Sequence, residues 1–427
     1  MITAVLFGLL ALLLLLSVPV AVALGIASTV ALLLSGKVSG IYVPQGLVTS
    51  IDSFPLMAVP FFILAGDLMG KGGLSSRLIN VGRLFFGRYT GGLAIIAVVT
   101  CMFFAAISGS GPATVAAVGS IMLPAMLKDG YRPGFATGLV ASAGALGIII
   151  PPSIPMVIYA TSANVSVSKM FLSGIVPGLL IAFALIAYAW LQAKSDGLKP
   201  GDEAPTRTGM LAALNDAKWA LLAPVIILGG IYGGVFTPTE AAAVGVIYGL
   251  VVGAFIYREL TLKNLYGVIA DSALTTASVM LIVGSATIFG RVLALEGIPQ
   301  MITETITAWV SQPWLLLLAI TLLLLVIGTF MEALAAIIIL TPILLPLAVS
   351  IGISPEHFGI LMIINLGIGM VTPPVGVNLF VAVRVSGVPL EEVIRGSVRP
   401  LVVMLGVLLL VTYVPALTLW LPSLFGL

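Results

Sequence analysis

The chain has 427 residues, 60% of them hydrophobic and only 8% charged, with a formal net charge of +2. A soluble globular domain carries charge on about a quarter of its residues, so composition excludes that class. Apolar runs of roughly 17–25 residues recur along the whole length and identify an all-α polytopic membrane protein.

In chain order, the first elements are predicted at roughly 1–17, 19–35 and 53–70. The opening Met1-Ile2-Thr3-Ala4 lacks the basic stretch of a cleaved signal and reads as mature sequence. A paired segment follows at 91–127, turning at Ser108-Gly109-Ser110-Gly111-Pro112. A broken helix is predicted over 135–163, because Pro151-Pro152 removes backbone donors and clashes with the preceding turn. A helix at 171–193 leads into the long polar stretch 194–218, with Asp196, Lys199, Asp202, Glu203 and Arg207, which reads as a linker. The second half is predicted as 219–237, 239–257, 272–295, a paired segment 313–350, a broken helix 357–386 and a last helix 398–420. Its paired segment turns at Thr329-Phe330-Met331-Glu332-Ala333 and its break falls at Pro373-Pro374.

The halves copy each other. Gly147-Ile148-Ile149-Ile150-Pro151-Pro152 lies under Gly369-Met370-Val371-Thr372-Pro373-Pro374 at an offset of 222 residues. The same offset pairs Leu123-Pro124 with Leu345-Pro346, and Gly130 and Pro133 with Gly352 and Pro355. Gly66 through Leu74 resembles Gly290 through Ile298 at an offset of 224. Each paired segment, whether a re-entrant hairpin or two full spans, contributes an even number of crossings. The other five elements of each half cross once, so the halves are inverted. Placing Lys71, Arg77, Arg83 and Arg88 in the cytoplasm puts fifteen of the eighteen basic residues inside, leaving only Lys37, Lys169 and Arg291 outside. Both termini are then periplasmic. Pro-interrupted segments at matching positions of two halves point to a transporter's binding site at midplane.

The expected first tip offers the hydroxyls of Ser108, Ser110 and Thr114, and the first break offers the carbonyl of Ile150 with Ser153 just after. Neutral oxygens and half-helix C-terminal ends suit a hard cation such as Na⁺. A small-residue packing motif is the other reading of the same residues. In the second half Thr329, Glu332, Thr372 and Gly376 occupy related places, and Glu332 aligns with Ser110. Glu332 is an acid inside a long apolar run, which marks function unless the tip reaches the outer interface. Asn378 is read either as a substrate or ion contact, with Ser110 and Ser153, or as a helix–helix hydrogen bond. The pairings of Ser110 with Glu332, Ser153 with Val375 and Met156 with Asn378 predict two unequal ion sites.

Other polar residues receive structural readings. Asp67 and Arg291 are expected as interfacial anchors, Asp52 and Glu240 as helix caps, and His357 as a surface residue of an outer loop. Cys101 excludes a disulfide framework and reads as a small core residue. Gly245, Gly249 and Gly253, and the pairs Gly229/Gly233 and Gly230/Gly234, suit close helix contacts. Gly66-Asp67-Leu68-Met69-Gly70-Lys71-Gly72 fails as a phosphate loop, being one residue short with no Ser or Thr after the lysine. Uphill transport would therefore need an ion gradient.

Four segments carry a family resemblance. They are Phe54-Pro55-Leu56-Met57-Ala58-Val59-Pro60-Phe61-Phe62-Ile63-Leu64-Ala65-Gly66, Ser108-Gly109-Ser110-Gly111-Pro112-Ala113-Thr114, Leu340-Thr341-Pro342-Ile343-Leu344-Leu345-Pro346 and Thr372-Pro373-Pro374-Val375-Gly376-Val377-Asn378-Leu379-Phe380. The chain resembles the large membrane subunit of the tripartite ATP-independent periplasmic (TRAP) transporters. The resemblance implies a non-enzymatic, Na⁺-coupled secondary importer in a bacterial inner membrane. It also implies a small four-helix membrane subunit, a soluble periplasmic binding protein that delivers an organic acid, and no nucleic-acid partner. The implied fold is an inverted-repeat, elevator-type transporter with two re-entrant helical hairpins and two broken helices moving against a scaffold. Its repeats span 1–193 and 219–427 around a cytoplasmic linker, 194–218. The alternatives are a stand-alone anion symporter or exchanger of the same fold, an ion channel, and an intramembrane enzyme, for which no nucleophile–base pairing is seen.

Overall fold

The computed structural model describes residues 2–198, 200, 207–309 and 312–426. Among these residues every regular element is a helix. The first half contains α1 (Ile2–Leu15), α2 (Val20–Ser35), α3 (Tyr42–Ile51), α4 (Ala58–Lys71), α5 (Leu74–Phe86), α6 (Gly92–Ser108), α7 (Gly111–Lys128), α8 (Pro133–Gly144), α9 (Leu146–Ile149), α10 (Ile154–Ala163) and α11 (Val167–Ser195). The second contains α12 (Arg207–Tyr232), α13 (Pro238–Val251), α14 (Leu262–Leu295), α15 (Ile298–Trp309), α16 (Pro313–Phe330), α17 (Ala333–Ser350), α18 (Pro355–Gly369), α19 (Val377–Ser386), α20 (Leu390–Tyr413) and α21 (Ala416–Leu424). Among the described residues eight helices are long and apolar enough to cross a membrane, or ten if two bent pairs each form one span. The protein is thus a multi-pass membrane protein.

Local chemistry explains the boundaries. Gly109 takes a left-handed φ of 60° and ends α6. Pro112 then sits at the start of α7, where a missing N–H costs nothing. Pro133 and Pro355 open α8 and α18 in the same way. The Pro-Pro doublets interrupt both broken helices as expected, between α9 and α10 and between α18 and α19, and both Pro-Pro bonds are cis. Thr237 and Glu240 form a reciprocal capping box at α13, with Thr237 N donating to Glu240 Oε2 at 2.8 Å.

The repeat is visible in the packing. α4 lies on α13 as α14 lies on α2; α7 lies on α19 as α17 lies on α10; α8 lies on α20 as α18 lies on α11. Each hairpin therefore leans on the broken helix of the other half. Gly245 and Gly249 lie against α4, where a Cβ at Gly249 would stand 3.0 Å from Met69 Cγ. In the other stripe Gly229 and Gly234 face open space among the described residues, and the nearest side chain to a Cβ on Gly230 is that of Phe236, six residues on. α8 and α18 are buried on nearly all sides and form the centre of the molecule.

Several expectations are corrected. The third element is a bent pair, α3 and α4, meeting at 66°. Two amphipathic helices, α5 and α15, stand where loops were read, since α5 buries Leu74, Leu78 and Ile79 while its other face carries Arg77 and Arg83. The polar linker is shorter than 194–218, because α11 runs to Ser195 and α12 begins at Arg207. Lys199, Asp202 and Glu203 lie outside the described residues. Asp52 caps no helix N-terminus; it follows the last residue of α3. His357 is not a surface residue. It is 1% exposed, with Nδ1 2.7 Å from Thr418 Oγ1 and Nε2 3.4 Å from the Thr412 carbonyl, because α20 and α21 fold over the start of α18.

Candidate functional site

The first hairpin tip is built from hydroxyls and carbonyls that point inward. Ser108 Oγ and Thr114 Oγ1 lie 3.0 Å apart, and Thr114 Oγ1 donates to the Ser110 carbonyl at 2.8 Å. Ser108 and Thr114 are buried, whereas Ser110 is half-exposed. Glycines let the tip approach the breaks. A Cβ on Gly109 would stand 3.2 Å from the Pro152 carbonyl oxygen, and one on Gly147 would collide with the Ser110 carbonyl and lie 2.7 Å from Thr114 Oγ1. Ser153 is fully buried and donates to the Ile148 carbonyl at 2.6 Å. Ile150 is buried at the break, its side chain lining a smaller apolar cleft with Phe103, Leu179 and Val225.

The second tip differs in chemistry. Glu332 sits at the N-cap of α17, its Oε2 accepting from Leu334 N at 2.9 Å and Ala335 N at 3.2 Å. The helix N-terminus favours that negative charge. The Thr329 carbonyl accepts from Gly376 N at 3.4 Å, joining tip to break. The hydroxyls of Thr329 and Thr372 donate to carbonyls of their own helices, Val326 at 2.7 Å and Ile368 at 2.8 Å. Asn378 crosses between halves. Its Nδ2 donates to the Ala141 carbonyl of α8 at 3.2 Å, its backbone N–H donates to the Met370 carbonyl, and its Oδ1 is buried with no partner among the described residues. A Cβ on Gly111 would stand 3.2 Å from that oxygen.

Both tips and both breaks converge on one cavity of about 670 Å³. Ser108, Ser110 and Glu332 line it, together with Ile148, Ile154, Met370 and Val377. Thr114 and Asn378 are buried behind this lining; Ser153, Thr329 and Thr372 serve their own backbones. The opposite wall is α4 and α14, and sequence reasoning missed it. Asp67 lines the cavity instead of anchoring an interface, accepting from Ser272 Oγ at 2.6 Å. Lys71, Thr275 and Ser278 extend the same wall. An acid inside an apolar helix is a functional signal by default, and Asp67 carried it. Arg291 stands over the Tyr42 ring, 5.7 Å from its centroid.

A family model described as the DctM component of tripartite ATP-independent periplasmic transporters matches residues 7–417. The chain belongs to that family. It is 50% identical over 413 residues to the isethionate TRAP transporter permease protein DctMQ of Oleidesulfovibrio alaskensis, covering 97% of this chain and 65% of that protein. This chain thus spans about two thirds of that relative's length. It is 44% identical over 403 residues to the C4-dicarboxylate TRAP transporter large permease protein DctM of Pseudomonas aeruginosa, covering 94% of each. It is 39% identical over 407 residues to the sialic acid large permease protein SiaM of Vibrio cholerae, covering 95% of each. The fold is similar to the crystal structure of the YdaH transporter of Alcanivorax borkumensis, with a TM-score of 0.62 and 16% identity over 88% of each chain. The protein is accordingly a large permease subunit of the TRAP transporter family.

Proposed function

We propose that this large permease is the membrane-embedded path of a Na⁺-coupled importer of organic acids, working by an elevator motion. In this reading a periplasmic binding protein delivers the acid, a small four-helix membrane subunit completes the complex, and both termini face the periplasm of a bacterial inner membrane. The carrying observation is the convergence of two hairpin tips and two helix breaks on one cavity. Ser108 Oγ, Thr114 Oγ1 and the Ser110 carbonyl gather oxygens of the kind a hard cation takes, and Glu332 adds a carboxylate at the other tip. The coupling ion is cargo here, and the two tips would hold it unequally. The names of the three relatives all specify acids, which supports an organic anion as the second cargo. The elevator reading is supported by the wall of α4 and α14 facing hairpins that pack mainly on the broken helices.

The test is uptake of radiolabelled isethionate and succinate into proteoliposomes holding the complete transporter. Uptake should require an inward Na⁺ gradient and the binding protein. Equal uptake without either would overturn the reading. Thr114→Ala and Glu332→Gln should each shift the Na⁺ titration to higher concentration; unchanged titrations in both would remove the tips from the ion sites.

A further inference from the structure

The charged side chains lining the cavity are Asp67, Lys71 and Glu332. Two of them are compensated. Lys71 Nζ lies 3.1 Å from Asp271 Oδ2. Glu332 receives two backbone N–H groups at the positive end of α17. Asp67 has no such contact: the Lys71 ammonium, one turn further along α4, attracts it only through space and is itself paired with Asp271. The bonded partner of Asp67 is the neutral hydroxyl of Ser272, and among the described residues no cation pairs with that carboxylate. It sits one residue from the point where α4 touches the first tip, since a Cβ on Gly66 would stand 3.0 Å from Ser108 Cα. Ile63, Phe104, Ile148 and Val279 surround this space with apolar surface, which screens a charge far less than water does.

We propose that Asp67 is a charge filter on the scaffold wall. Its negative field makes the cavity unfavourable for an organic anion travelling alone, and far less so for an anion accompanied by bound cations. Anion movement is thereby tied to cation loading by a residue that need not touch the substrate. Asp67 is on this view a specificity-determining residue. The role rests on the reading of the cavity as the path of an organic anion.

The field can be measured without knowing the substrate. Ser278→Cys places a thiol on the exposed cavity face of α14, and the native Cys101 is buried. The probes are anionic 2-sulfonatoethyl methanethiosulfonate and cationic 2-(trimethylammonium)ethyl methanethiosulfonate, reacted with the full chain in liposomes. Adding Asp67→Asn should raise the anion-to-cation rate ratio about tenfold at low salt, less at high salt. Asp67→Ser supplies the same loss of charge if the amide does not fit. Ser272→Ala keeps the charge and should leave the ratio within about twofold. An unchanged ratio in both charge-removing variants overturns the proposal. In the complete transporter Asp67→Asn should also raise isethionate uptake in the absence of Na⁺ severalfold relative to Na⁺-driven uptake; no rise breaks the link to coupling. A wild type that ignores Na⁺ would sink the proposed function instead, while the reagent ratio would still decide the role of Asp67.

Discussion

His357 is held from two sides by groups more than fifty positions away. Thr418 Oγ1 lies 2.7 Å from Nδ1 and the Thr412 carbonyl 3.4 Å from Nε2, so one imidazole fastens the start of α18 to both α20 and α21. Buried polar partners left unpaired cost about 1–3 kcal/mol each. His357→Ala should therefore lower the melting temperature of the purified protein by several degrees, and His357→Gln by less, because its amide can keep one bond. Equal melting of wild type and His357→Ala would show that the contact carries no stability. Nothing near His357 in sequence announced this burial: Ser354-Pro355-Glu356 reads as an exposed helix start, and the covering segment is α21. Glu332 and Ser110 were legible because each stands out against its own surroundings, an acid among apolar residues and a hydroxyl among glycines. Asp67 was harder, because its partner Ser272 belongs to the other half.

At the scale of elements, breaks and tips were readable because proline and glycine act locally. The bend between α3 and α4 has the same kind of local cause, yet it was missed, because the third element was read as one span over 53–70. Pro55 lies beside it, and the matching position at the 224-residue offset is Val279, so α14 runs unbroken for 34 residues. α5 and α15 escaped notice because their polar faces look like loop sequence until the 3.6-residue period is counted. Matched glycines show what the breaks must accommodate. A Cβ on Gly369 would overlap the backbone of Gly328 in α16, and backbone cannot swing aside. A Cβ on Gly367 would first meet side-chain atoms of Ile148 and Ile149, the nearest at 3.3 Å, which can shift by tenths of an ångström. Gly369→Ala should destabilise by about 1–3 kcal/mol and reduce uptake, with Gly367→Ala clearly milder. Thermal melting of the two purified variants checks the order, and reversed or equal losses would discount the close approach of α16 to the second break.

At the scale of the molecule, sidedness is tied to the ion pairs that cross between elements. Lys71–Asp271, Arg77–Asp216, Arg77–Glu259 and Arg132–Asp196 each join residues assigned to the inner face by the count of basic residues. Lys37–Glu296 and Lys169–Glu356 each join residues assigned to the outer face. None of these pairs joins the two sets, which is the pattern expected if the element count behind the inverted halves is right. Partly exposed pairs of this kind add little stability, and their value here is as markers of which loops share a face. They do not say which face is the cytoplasm; that rests on the excess of Lys and Arg on one side. A cysteine at Ser195, exposed at the end of α11, should therefore resist a membrane-impermeant maleimide in intact cells and react after permeabilisation. Lys37→Cys, on the opposite face, should label from outside in intact cells. Strong outside labelling at position 195 with protection at position 37 would reverse the orientation.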